Sequence, residues 1–335
     1  MKIRVSEEYN EAINAINNLL EDRTLHEQET TISSRLDLRN YRLIKGYLVI
    51  GVTSNEKIEN ITKWKITLNE VTLTREFKPH VEARINERIY QSLFVYDVTK
   101  ILSSMQQEAV LKIKYEGKRP ITVNSATLIS FHHYLEASSK SDCIFEIAGL
   151  NNYTINLTSC NSHAERFNER VLHLGIVTDQ KDDIQIMNER NETLYTQRLV
   201  NGFNLVELNL QDINANELII KSVASTTRLI FHCITCTSIN YPRIEVKDLS
   251  ILKDVNAVEL KLLNGGAEAD NCEVILLKAG NPVQRFDIGV FKSGEEKFIR
   301  IPLTQGVGKM SGKLILRIIW QKALRLFSRE YVIDI

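Results

Sequence analysis

Leu93-Phe94-Val95-Tyr96-Asp97-Val98-Thr99 is the stretch that decides the fold. Its aromatic and β-branched run reads as a strand. The run stops at an aspartate suited to cap one helical turn. Two further strand-like runs follow, Val110-Leu111-Lys112-Ile113 and Leu128-Ile129-Ser130-Phe131-His132-His133. The same order returns about 100 residues later, a spacing of one β-sandwich. There Leu205-Val206-Glu207-Leu208-Asn209-Leu210-Gln211-Asp212-Ile213 precedes Leu218-Ile219-Ile220-Lys221 and Leu229-Ile230-Phe231-His232-Cys233. Asp97 and Asp212 are the matching caps in this reading.

Working outward, Tyr41–Val52, Trp64–Leu73, Val110–Tyr115 and Ile121–Tyr134 read as strands. Trp64, Ile66 and Leu68 alternate with Lys65 and Thr67, the period of a half-buried strand. Upstream of residue 36 the period is nearer 3.6. Ser6 is placed as an N-cap, Glu7 and Glu8 suit the positive end of a helix dipole, and Tyr9, Ile13, Ile16 and Leu20 form one stripe. A helix is therefore expected near the start. After Tyr241-Pro242 come seven short strands: Ile244–Leu252, Val258–Leu263, Cys272–Leu277, Val283–Ile288, Phe298–Leu303, Lys313–Trp320 and Leu326–Ile335. Asn264-Gly265-Gly266, Gly280-Asn281-Pro282 and Ser293-Gly294 punctuate them.

The expected fold is mainly β, built of serial β-sandwiches. Residues 1–35 form an N-terminal helical segment, 36–142 and 143–240 two jelly-roll-like sandwiches, and 241–335 an immunoglobulin-like sandwich. Glycine (14) and proline (5) are scarce. Asparagine, with 27 residues, is placed to supply turn positions that need a positive φ.

The chain has 42 basic and 42 acidic side chains among 335 residues, and 43% of its residues are hydrophobic. A nucleic-acid binder would carry a basic excess and a disordered chain a large net charge, so neither partner class nor state is expected. No apolar run reaches the ~18 residues of a membrane span. Met1–Asn18 lacks the apolar core of a secretory leader. The expected location is cytoplasmic if the sequence is complete and the cell surface if a leader has been removed.

The pattern Phe94-x-Tyr96-Asp97-Val98-Thr99, followed by Leu111-x-Ile113, resembles galactose-binding-like jelly-roll modules found in uncharacterised archaeal surface proteins. Val258-x-Leu260-x-Leu262-x-Asn264-Gly265-Gly266, with Val274-Ile275-Leu276 and Ser293-Gly294-Glu295, resembles a CARDB-type, adhesion-related sandwich. The resemblance implies non-catalytic modules of surface or extracellular proteins.

Motifs that would carry chemistry favour bland roles. Five cysteines (Cys143, Cys160, Cys233, Cys236, Cys272) are too few and too irregular for a disulfide framework. Cys233-Ile234-Thr235-Cys236 lies in a predicted strand, where residues three apart face opposite sides, so both are read as buried thiols. His132 and His133 are neighbours on a strand and cannot chelate one ion. Nothing in the spacing favours a zinc site joining His132, His163 and His232. No G-x-S-x-G or H-E-x-x-H occurs. Gly306–Ser311 lacks the first glycine of a phosphate loop, and Asp179–Glu192 reads as a solvated hairpin. Lys313, Arg317, Gln321, Arg325 and Arg329 stand at four-residue intervals across a basic segment. Continued alternation to Ile335 favours a hairpin there over an amphipathic helix.

The function expected from the sequence is a non-catalytic structural or interaction protein, a subunit of a surface or filamentous assembly. It needs no cofactor, and its partners are other protein subunits met through edge strands. Residues 241–335 hold 15 basic and 12 acidic side chains, an asymmetry suited to head-to-tail contact. The alternative is a carbohydrate-binding accessory module, with Trp64, Tyr90 and Tyr96 as stacking candidates. An enzyme with a site built from distant loops ranks third.

Overall fold

The computed structural model describes residues 2–38, 42–58, 63–73, 78–104, 108–158, 166–252, 256–303 and 313–334. The chain divides into two compact units, Met1–Ile239 and Asn240–Ile335. Both are built almost wholly of antiparallel strands, as the sequence predicts.

The first unit begins with β1 (Ile3–Leu25), β2 (Thr31–Asp37), β3 (Leu43–Ser54), β4 (Trp64–Leu68), β5 (Val71–Thr72), β6 (Val81–Arg84) and β7 (Tyr90–Asp97). Helix α1 (Thr99–Ser103), β8 (Glu108–Tyr115) and β9 (Ile121–Gly149) follow. Then come β10 (Asn151–Asn156), β11 (Glu169–Thr178), β12 (Asp182–Asn188), β13 (Thr193–Leu199), β14 (Gly202–Asn209), β15 (Glu217–Ser222) and β16 (Arg228–Ile239). No helix among the described residues is long and apolar enough to cross a membrane.

The N-terminal helix is not formed. Residues Ile3–Leu25 are a strand that pairs antiparallel with β9 from Ile3↔Phe145 to Leu25↔Ile121. Register shifts between Asn10 and Ala12 and between Asn18 and Leu20 interrupt the pairing. Each shift resets the two-residue alternation, so Tyr9, Ile13, Ile16 and Leu20 fall at spacings that mimic a helix. Pairing with β9 from Ile121 to Phe145 overrides the local helix preference.

One eight-stranded sheet runs β14-β11-β16-β9-β3-β7-β6, with β1 added on β9. Two four-stranded sheets, β2-β8-β4-β5 and β10-β15-β12-β13, complete the unit. The repeat read from the sequence is present in this topology. The order β9-β3-β7 matches β16-β11-β14, and β2-β8-β4-β5 matches β10-β15-β12-β13. The match reaches single residues. Gly51 and Gly175 each precede a register shift against the matching strand. Ser54 and Thr178, at the ends of β3 and β11, each donate a hydroxyl hydrogen bond to the carbonyl two residues on, at 2.6 and 2.9 Å.

The turn after the repeat strand also recurs, with a correction. Asp97 Oδ1 accepts from the Thr99 N–H at 3.0 Å ahead of α1. Its counterpart is Asn209, whose Oδ1 accepts from the Gln211 N–H at 2.8 Å, rather than Asp212. Val98 N–H donates to Gly46 O at 2.9 Å, and Leu210 N–H donates to Arg170 O at 2.8 Å. The true register is set by these strand ends, which the run of similar letters around Asp212 obscured.

Each half encloses a core. Leu48, Ile50, Phe94, Ile113 and Val123 are among the buried side chains of the first, and Leu172, Leu174, Ile186, Ile220 and Leu229 among those of the second. A further cluster joins the halves through the other faces of the same strands: Val49, Leu93 and Ile129 from one, Phe145, Val177, Phe203 and Phe231 from the rest. Position 143, where the sequence reading placed a boundary, lies inside β9, which contributes side chains to both the first core and this joining layer.

The second unit contains β17 (Ile244–Leu252), β18 (Ala257–Asn264), β19 (Ala269–Lys278), β20 (Asn281–Phe291), β21 (Glu296–Pro302), β22 (Lys313–Lys322) and β23 (Arg325–Asp334). All seven strands read from the sequence are present. They form sheets β17-β18-β21 and β20-β19-β22-β23 around one core that includes Leu260, Val274, Leu316 and Ile318. The basic segment is the β22–β23 hairpin. Leu314, Leu316, Ile318 and Trp320 point into the core, and Arg317, on the opposite face, is half-buried and paired with Glu330 at 2.5 Å. Asn69, Asn152, Asn191 and Asn256 take positive φ angles, as the asparagine content suggested.

Gly175 supplies a sharp test of the repeat packing. A Cβ there would stand 2.2 Å from Phe231 Cε1, whereas one at Gly149 would meet nothing within 4 Å. Gly175→Ala should cost about 1–3 kcal/mol and Gly149→Ala less than about 0.5 kcal/mol, measured by urea denaturation.

Candidate functional site

The sequence candidates divide by burial. Trp64 opens β4 and is buried, edge-on to Phe94 at 5.0 Å between ring centroids. Phe94 stacks on Tyr96 at 6.4 Å, and Tyr96 meets His80 edge-on at 5.9 Å. The fold therefore brings Trp64 and Tyr96 against the same ring, Phe94, with Trp64 buried and Tyr96 half-buried. Burial pushes the Tyr96 hydroxyl above its ordinary range. Tyr90 lies at the far end of β7, half-buried, with the Arg84 guanidinium 6.0 Å from its ring centre.

The cysteines need a correction. Cys143 of β9 and Cys233 of β16 sit opposite each other in register and form a disulfide. Cys233 is thus not a buried thiol, because the pairing of two distant strands sets it beside Cys143. The opposite-face expectation for Cys233 and Cys236 holds. Cys233 belongs to the layer joining the halves and Cys236 to the second core. Cys160, His163 and the Gly306–Ser311 segment lie outside the described residues. Among the described residues, no three His, Cys, Asp or Glu side chains are arranged to hold a metal ion. His132 is buried with Nε2 2.9 Å from Ser130 Oγ, and its neighbour His133 is half-buried.

Three polar clusters were not found from the sequence. The first lies at the margin of the layer between the halves. Glu7 accepts hydrogen bonds from the hydroxyls of Tyr9 and Tyr47, the former at 2.7 Å. Tyr9 packs on Phe131 at 5.1 Å, and the Lys45 ammonium lies 5.1 Å above the Tyr47 ring while pairing with Asp97 at 2.7 Å. Burial and the neighbouring Glu7 carboxylate push both tyrosine hydroxyls up. The signal was present: Ile3, Val5, Glu7 and Tyr9 alternate with Arg4, Ser6 and Glu8. The helical reading of that segment concealed it.

The second cluster is Glu146, Tyr153 and His232. The Tyr153 hydroxyl donates to Glu146 and lies 3.2 Å from His232 Nδ1. Burial pushes His232 down to about 4, against a smaller opposing pull from Glu146. The third centres on Asp182, within the segment read as a solvated hairpin. The β12–β13 hairpin forms, but Asp182 itself is buried. Its carboxylate accepts from the hydroxyls of Ser222 and Thr227 and from the N–H groups of Asp183 and Ala224. Burial works against the charge, yet these four donors hold the carboxyl below its usual range. Next to it, buried Arg228 donates Nε to Gln91 at 2.9 Å and pairs with Asp179 at 3.2 Å, tying the two halves together.

In the second unit the chemistry is that of a surface. Leu326 and Val332 on β23 are 71% and 61% exposed, and Phe298 on β21 is 74% exposed. The register aligns buried Leu277, half-buried Ile315 and exposed Val332 in one row on the side of their sheet opposite the core.

No protein-family model and no curated protein matches the chain. Among solved structures, the chain is similar in part to the beta-glucuronidase of Ruminococcus gnavus, at 10% identity and a TM-score of 0.22. That match covers 58% of this chain and 35% of that one. Beta-glucuronidase 3 of Bacteroides uniformis matches at 5% identity and a TM-score of 0.24, over 58% of this chain and 27% of that one. The chain spans about a third of the length of these structures. At such scores the likeness carries no inference about activity.

His232 and Asp182 give two stability tests. A depressed histidine pKa means the fold prefers the neutral ring, so its contribution is complete above pH 6.5 and is lost as pH falls toward 4. Over that window the parent chain should lose up to about 3 kcal/mol more than His232→Gln in urea titrations. Asp182→Asn should cost about 1–3 kcal/mol at pH 7 by the same method, because donors lose their acceptor.

Proposed function

We propose that the protein is a non-catalytic interaction protein that works as a self-assembling subunit. The observation that supports this reading most directly is the apolar surface of the second unit. Leu326 and Val332 are exposed on β23, which pairs with β22 alone among the described residues, and the row behind Val332 passes through half-buried Ile315 to buried Leu277. Exposed apolar side chains beside an open strand edge are a hazard in a solitary protein and a resource in an assembling one. The polar clusters of the first unit act as internal ties: Glu7 bridges Tyr9 and Tyr47, and Asp182 gathers four donors. The surface-protein and adhesion-module resemblance agrees with this role.

A second reading, a glycan-binding module, draws on the half-buried Tyr9 and Tyr47 rings anchored on Glu7. Aromatic faces held beside a carboxylate suit a sugar's apolar face and its hydroxyls. Buried Trp64 no longer supports it.

Light scattering of the full chain over a wide concentration range tests the first reading. The apparent mass should rise above that of the 38.4 kDa monomer in a concentration-dependent way. A mass that stays monomeric throughout overturns it. For the second reading, glycan-array binding that is lost in Tyr47→Ala would favour a sugar ligand.

A further inference from the structure

Among the described residues the second unit has four strand edges, and three of them are interrupted or blocked. Strand β20 pairs with β19 through three register shifts and begins Asn281-Pro282, where the proline lacks an N–H. Its carbonyls at Ile288 and Val290 accept from Lys297 Nζ at 3.2 and 3.3 Å. The same lysine belongs to β21, so these two edges are bridged to each other. Strand β21 also ends in Pro302. Strand β17 carries a register shift between Val246 and Asp248. Bulges, prolines and lysines are the usual devices that stop a sheet from adding another strand.

Strand β23 has no bulge, proline or lysine, and its charged residues are Arg325, Arg329, Glu330 and Asp334. It pairs with β22 in ten consecutive steps, Lys313↔Asp334 to Lys322↔Arg325, without a shift. It contains no glycine or proline. Its outward side chains include the exposed Leu326 and Val332.

We propose that β23 pairs antiparallel with β23 of a second copy of this chain, with Arg329 facing Arg329 on the two-fold axis. This inference rests on the reading of a self-assembling subunit and names its interface. A two-fold axis perpendicular to the sheet sets residues of the same face opposite one another, so only alternate registers are allowed. Centring on Arg329 places Leu326 against Val332, Phe327 against Tyr331 and Ser328 against Glu330, each pair occurring twice. Leu326 of one copy then extends the Leu277–Ile315–Val332 row of the other. Phe327 already stacks on Trp320 at 5.9 Å, so the aromatic pair continues an existing contact.

The neighbouring registers are poorer. Centring on Glu330 sets Glu330 against itself and Leu326 against Asp334. Centring on Ser328 sets Leu326 against Glu330 and Phe327 against Arg329. Centring on Tyr331 sets Arg329 against Ile333 and Glu330 against Val332. The Arg329 register carries one repulsive pair, at the axis, and unites both exposed apolar side chains. Such a contact is isologous and closes on itself. It makes a dimer, and a filament requires a second contact elsewhere on the chain.

The test uses the full chain and sedimentation equilibrium, with near-ultraviolet circular dichroism confirming that each variant is folded. Val332→Lys and Leu326→Lys, both at exposed positions, should each weaken the dimer at least tenfold. Arg329→Glu identifies the register. Mixed with the parent chain, it should form heterodimers above the statistical half in native mass spectrometry, because a Glu–Arg pair replaces two like-charged pairs. Assembly that survives both lysine variants unchanged overturns this interface and leaves the broader reading standing. A statistical mixture with Arg329→Glu overturns the register. A chain that is monomeric at every concentration overturns both the interface and the reading on which it rests.

Discussion

Strand β9 pairs with β1 between Ile121 and Phe145, with β3 between Ile121 and His132, and with β16 between Ala137 and Gly149. Most of the first unit hangs on this one ladder. Ile121, Val123 and Leu128 enter the core of the first half, while Ile129, Cys143 and Phe145 enter the layer between the halves. Because strand side chains alternate with a period of two, a slip by one residue would exchange these sets. Two cores would then fail together, so the register is tightly specified. The Cys143–Cys233 bond lies in the same ladder and ties β9 to β16 where the second half begins.

Shifts in that ladder and in the β11–β16 ladder beside it shape the junction. The bulge beside Gly175 passes over Ile230, and a Cβ added at Gly51 would lie 3.2 Å from Ile230 Cδ1. The matching bulge beside Gly51 passes over Asn124, whose Oδ1 accepts from Thr53 Oγ1 at 2.7 Å. In β1, Asp22 takes a positive φ and accepts from the Phe203 N–H at 2.6 Å. Glycine, bulge and buried polar contact thus fall where the repeated halves meet. Bulges bend and twist a strand, which is what two packed copies of one fold require at their junction. The polar groups consumed there, with Arg228 and Gln91, hold the halves in place.

The second unit distributes its chemistry differently. Its core cluster is apolar, with buried Asn264 bonded to the Ala267 and Phe291 carbonyls and buried Lys322 paired with Asp270, while other charged side chains pair on the surface, as Lys261 does with Glu296 and Arg300 with Glu259. Among the described residues, its one edge strand without a bulge or proline carries exposed leucine and valine.

Much of this was readable beforehand. Period-two alternation gave the β class, the seven strands after Pro242 and the hairpin at Lys313–Arg329, because one face of a strand must be apolar to be buried. The Asp97 turn gave the repeat, since a strand that ends in a cap keeps its local chemistry wherever it is placed. Asparagine at positive φ was likewise a local property of single residues. The first 25 residues were misread because their bulges depend on β9, more than 95 residues away. Asn209, Asp182 and the Cys143–Cys233 pair were missed for the same reason: each role is fixed by a partner distant in the chain. What the sequence determined alone was where strands lie and which faces are apolar, both set by neighbours within a few residues. Which strands pair, which cysteines join and which edge stays open were decided by tertiary structure, because hydrogen-bond partners and burial are chosen in space.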